Sequence, residues 1–150
     1  MVSRIYSKAG MKVNFKMEEG YAVDYNGEHI DLHNCFDFVG ITEDTARDEL
    51  KMEWKKTIGD WVREDEYDSL TFVFKNISYK YIDEGNEYDV PENKSGMSEI
   101  SVFPSTERDV NDCFIFKAVP SEEDDLMFHF VNGKVIRICC EEVELIPIKG

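Results

Sequence analysis

Apolar side chains recur at every second position along most of this chain, and that spacing constrains the fold more than any other feature. Val13, Phe15 and Met17 alternate with Lys12, Asn14 and Lys16. Leu50, Met52 and Trp54 alternate with Lys51, Glu53 and Lys55, and Leu70, Phe72 and Phe74 repeat the pattern. Successive side chains of a strand point to opposite faces, so this period marks strands with one buried and one wet face. Tyr21, Val23 and Tyr25 lead into Asn26-Gly27, and Ile30 and Leu32 follow it, which is a strong hairpin signal.

Further runs at "ISYKYID", "SEISVF", "DCFIFKAV" and "EVELIPI" bring the count to about ten short strands. No strand–helix rhythm accompanies them, so a parallel α/β sheet is disfavoured. The expected fold is mainly β, a single-domain antiparallel sandwich or partly open barrel over residues 1–150. At most one short helix is expected, around 42–49, where Thr42 and the acids after it resemble a helix start before a strand at 49–55. A chain of 150 residues can bury about 70% of its unfolded surface, so it needs no metal or disulfide to fold.

The stretch "DDLMFHFVNGKVIRICCEEVEL" collects a histidine, an arginine, two cysteines and several carboxylates. Its register decides whether they can cooperate. A two-residue Asn132-Gly133 turn would set Arg137 opposite the apolar Phe128. A three-residue loop, Val131-Asn132-Gly133 with Gly133 left-handed, pairs Phe128 with Ile136 and Leu126 with Ile138. That register puts Leu126, Phe128, Phe130, Ile136, Ile138 and Cys140 on one apolar face. Met127, His129, Val135, Arg137 and Cys139 take the other. His129 then lies ~13 Å from Cys139, too far for a nucleophile–base pair. The inward phase jumps from Cys140 to Val143, so Glu141-Glu142 are expected to absorb a bulge or corner.

Charge narrows the function classes. Seventeen basic residues stand against 32 acidic ones, a formal charge of −15. That disfavours nucleic acid and anionic membranes as partners, and favours a basic protein partner or simple solubility. Cys35, Cys113, Cys139 and Cys140 come without a secretory signal or an apolar span, and Cys139 and Cys140 are adjacent, so reduced thiols in the cytoplasm are expected.

Catalytic motifs are missing: there is no G-x-S-x-G elbow and no phosphate-cradling glycine loop. The sharpest metal candidate is "HIDLHNC". If extended, it puts Asp31, His33 and Cys35 on one face with neighbours ~6.6 Å apart. The plainer alternative is the polar face of a hairpin strand. No cofactor is called for.

Leu50-x-Met52-x-Trp54, Leu70-x-Phe72-x-Phe74 and the late hairpin from Phe128 to Ile138 (F-x-F-x-x-G-x-x-I-x-I) form a recognisable set. The set resembles small, acidic, β-rich bacterial proteins that act as immunity partners in polymorphic-toxin systems. The resemblance implies a non-catalytic, toxin-binding role and assigns no functional residue. With the charge, it makes "DWVREDEYD" and "DEGNEYDVPE" the expected contact loops. The expected contact residues are Trp61, Glu64, Asp65, Glu66 and Tyr67 in the first, and Asp83, Glu84, Glu87 and Asp89 in the second. The acids at 122–125 and 141–144 would add a rim. Two alternatives stay open: a metal-binding or hydrolytic domain built on Asp31, His33 and Cys35, and a structural or assembly module.

Overall fold

The structure is a computed structural model that describes residues 11–85, 96–104, 119–121 and 124–149. Among these residues are ten strands and one helical turn: β1 (Lys12–Val13), β2 (Lys16–Glu18), β3 (Ala22–Tyr25), β4 (Glu28–Asp31), α1 (Leu32–Cys35), β5 (Phe36–Asp44), β6 (Glu49–Lys56), β7 (Ser69–Asp83), β8 (Met97–Pro104), β9 (Asp124–Phe130) and β10 (Val135–Ile148). Strands β5-β6-β7-β10-β9-β8 form one curled sheet, a half-barrel, with β1 joined to β10 in parallel. Strands β2-β3-β4 form a separate three-stranded sheet. The expected mainly β architecture is what the chain adopts.

Both sheets feed a single core. Met17, Val23 and Ile30 of the small sheet belong to the same buried cluster as Leu50, Met52, Trp54, Phe72 and Phe74 of the large one. Phe15, just before β2, meets Phe72 edge to face at 5.4 Å. The alternation that marked β6 is realised residue by residue: Leu50, Met52 and Trp54 are buried while Lys51, Glu53 and Lys55 are exposed. Each such apolar side chain stabilises the fold by about 1.5–3 kcal/mol, so a one-residue slip would be prohibitive.

The late hairpin adopts the three-residue register. Ile136 faces Phe128, Ile138 faces Leu126 and His129 faces Val135, with Gly133 at φ 87°. The inward phase does jump from Cys140 to Val143. The pairing irregularity with β7 falls one step earlier than Glu141-Glu142, between Cys139 and Cys140. Beside it Asn76 takes φ 58° and its Nδ2 donates to Glu141 at 2.9 Å.

Three expectations need correction. Residues 42–49 form no helix: Thr42, Glu43 and Asp44 pair with Lys51, Leu50 and Glu49, so strand pairing overrides the cap-like acids. The only helical turn among the described residues is α1, at 32–35, inside a stretch expected to be extended. Asp124 and Asp125 are buried rather than part of an acidic rim, and Asp124 accepts a hydrogen bond from Ser121 N at 2.8 Å.

Candidate functional site

The expected metal strand does not exist as drawn. The backbone leaves β4 at Asp31, which caps α1 instead of pointing along a strand face. Its two carboxylate oxygens accept from Asn34 N at 2.9 Å and from Asn34 Nδ2 at 2.8 Å. An aspartate at a helix N-cap satisfies donors that no other group reaches, and that use competes with metal binding. His33 has its Nδ1 against the Met97 carbonyl. Cys35 is half-buried, and its thiol pKa is raised first by burial, then by Asp31 and Glu66. Asp31, His33 and Cys35 therefore do not converge, and among the described residues no three His, Cys, Asp or Glu side chains are grouped to hold a metal ion.

The thiols of the late hairpin are equally unsuited to nucleophilic work. Cys140 sits on the core face, donates to the Glu142 carbonyl at 3.3 Å, and has its pKa pushed up to about 12 by burial and the neighbouring Cys139. Thiolate is the reactive form, so this thiol stays inert near neutral pH. Cys139 lies on the opposite face, yet it is buried as well.

The β6–β7 connection is the more distinctive surface. Ile58 is 97% exposed and Trp61 63% exposed. Asp60, Glu64 and Asp65 around them are exposed too. Trp61 is nevertheless held in place. Its Nε1 donates to the Asn34 carbonyl at 2.7 Å, and its ring lies so close to Gly59 that a Cβ there would meet it at 2.4 Å. The loop is tied to α1 by Thr57 N donating to the Cys35 carbonyl at 2.9 Å. Glu66 departs from expectation: it is buried, faces Arg63 at 3.7 Å and cannot serve as a contact acid. Tyr67 is half-buried with its hydroxyl donated to Glu28, and burial and that hydrogen bond raise its pKa.

The second expected contact loop lies at the other end of β7. Asp83 and Glu84 are exposed, Glu84 pairs with Lys134 at 2.7 Å, and Gly85 at φ 76° packs against the 132–134 turn. Glu87 and Asp89 lie outside the described residues. The 15-residue β7 separates the two loops, a contour of about 46 Å at 3.3 Å per residue.

A third feature escaped the sequence reading. Across the outer face of the large sheet, Arg137 pairs with Tyr81 on one side and Met127 on the other. Its guanidinium carbon lies 4.3 Å from the Tyr81 ring and 4.2 Å from the Phe103 ring. The three residues line a cleft of ≈ 360 Å³ together with Asp83, His129 and Val135. The signal available in the sequence was an arginine alone on an otherwise apolar strand face. Its aromatic neighbours come from two other strands and could not be assigned without the register. Farther along β8, the Glu99 carboxyl is raised by burial and opposed by His129.

Neither a protein-family model, nor a curated protein, nor a solved structure matches the chain. No described helix is long and apolar enough to cross a membrane.

Proposed function

We propose that this chain is a non-enzymatic binding protein that docks a basic protein partner on the β6–β7 loop. The class of partner that the strand-pattern resemblance implies is a toxin domain, and the acidic loops suit one whose active site is cationic. The observation that carries the reading is Trp61, which is 63% exposed yet fixed by Asn34 and Gly59. An aromatic side chain already ordered before contact loses little entropy on binding, and such residues dominate binding energies. The surrounding Asp60, Glu64 and Asp65 and the formal charge of −15 favour a cationic surface opposite and speed its arrival.

Capture from host extract at low and high salt tests this. The wild-type chain is compared with Trp61→Ala and with a variant carrying Asp60→Asn, Glu64→Gln and Asp65→Asn. The expected result is a basic protein retained at low salt, depleted at high salt and lost with both variants. Recovery of no basic protein, or equal recovery with the charge-neutralised variant, overturns the reading.

A further inference from the structure

The cleft on the outer face of the large sheet plays no part in docking at the β6–β7 loop, and we propose that it binds a small monocarboxylate with an apolar body. Arg137 is 92% buried by its 8% exposure, and no described carboxylate pairs with it. Its Nε has no hydrogen-bond partner. The Tyr81 and Phe103 rings lie 4.3 and 4.2 Å from its guanidinium carbon and offset part of its lost hydration. They cannot satisfy N–H groups that radiate in the guanidinium plane. A buried cation with an unpartnered Nε is stabilised by an anion in the guanidinium plane, and the fork of a guanidinium matches a carboxylate in two parallel hydrogen bonds.

The rest of the cleft selects among anions. Met127 and Val135 line it with apolar surface, and His129 adds a second polar group. Asp83 also lines it, and its charge opposes any ligand carrying more than one negative charge. The chain's net charge of −15 acts in the same direction. A phosphate ester is therefore disfavoured relative to a single carboxylate. The volume of ≈ 360 Å³ is at the lower end of the range for small-ligand pockets, which fits a compact aromatic or branched acid.

Phenylacetate is a suitable probe, with phenylacetamide as its uncharged counterpart, followed by amide-resolved NMR titration of the full chain at fixed ionic strength. The expected result is saturable binding of phenylacetate with shifts at Tyr81, Met127 and Arg137, and at least about tenfold weaker binding of phenylacetamide. Arg137→Gln should weaken phenylacetate by a similar factor. Asp83→Asn, at an exposed position, should tighten it about two- to fivefold. Trp61→Ala should leave it unchanged, which separates this site from the loop. Absence of saturable binding by the wild type, equal binding of acid and amide, or no tightening in Asp83→Asn each overturns the proposal. The last two comparisons stand even if Arg137→Gln does not fold.

Discussion

The side chain of Asn14 is hydrogen-bonded at both ends to the main chain of Leu145, 131 positions away: Nδ2 donates to the Leu145 carbonyl at 3.0 Å and Leu145 N donates to Oδ1 at 2.7 Å. β1 pairs with β10 only at Lys12–Glu142 and Val13–Val143. The carboxamide supplies the next rung, standing in for a peptide group where the first strand turns away. Replacing Asn14 by Ala would leave a buried N–H and C=O unpaired. Asn14→Ala is expected to lower stability by about 2–4 kcal/mol in urea denaturation, with an unchanged denaturant slope. A loss under about 0.5 kcal/mol would mean that water replaces the side chain without penalty.

Gly59 is expected to control Trp61 without affecting the fold. A Cβ at this position meets the indole at 2.4 Å, so Gly59→Ala must displace the ring from the Asn34 carbonyl. Trp61 is exposed, and the displacement should change its fluorescence and weaken partner capture. Stability should move by no more than about 0.5 kcal/mol, as for other surface substitutions. Unchanged Trp61 emission would show that the ring is not held by this contact.

Asp31 is expected to act as a cap. Asp31→Ala removes both bonds to Asn34 and should lower stability by about 1 kcal/mol. Zinc should leave the melting temperature of the wild type and of this variant unchanged. A zinc-dependent rise seen only in the wild type would restore Asp31 to a ligand role.

Cys140 gives a pH signature with a definite sign. Its thiol titrates near 12 in the folded chain against an ordinary 9.0. Folding thus favours the protonated form. Its contribution to stability is complete below about pH 9 and is lost as pH rises towards 12. Over that window the slope is at most about −1.4 kcal/mol per pH unit. Denaturation of the wild type and Cys140→Ala across this range should show a difference in stability that narrows as pH rises. Native alkylation mapped by mass spectrometry should modify Cys35 before Cys140. A pH-independent difference between the two proteins would rule out this titration.

Much of the large sheet was legible because period-2 patterns survive wherever one face is dry. The hairpin register followed from Phe128, Ile136 and Ile138 alone, since the competing register sets Arg137 opposite a core phenylalanine. The misses have physical causes. Leu32 is buried whether residues 29–35 are extended or break into a helical turn, so the apolar pattern could not distinguish the two. Thr42 and its acidic neighbours resemble a helix start, but the β6 partner that overrides them is a tertiary fact. Asn14 read as an outward polar residue because its partner lies at the far end of the chain. For the candidate sites, local sequence placed Trp61 in an acidic loop where it is indeed exposed, and it could not show that Glu66 folds inward. The Arg137 cleft depends on Tyr81 and Phe103, contributed by strands whose neighbours no local pattern specifies.

Strand β10 pairs with β7, β9 and β1, yet it occupies positions 135–148. During synthesis, β1 to β9 leave the ribosome before the strand that joins β7 to β9 is available. The nascent chain must therefore carry the unpaired edge of β7 and the apolar residues of β1 and β2 until translation has passed residue 148. Long-range pairing of this kind is slow and leaves sticky edges exposed. A net charge of −15 makes such incomplete copies repel one another. Neutralising surface acids should accordingly lower the yield of folded protein in the cell more than it lowers the stability of the finished fold.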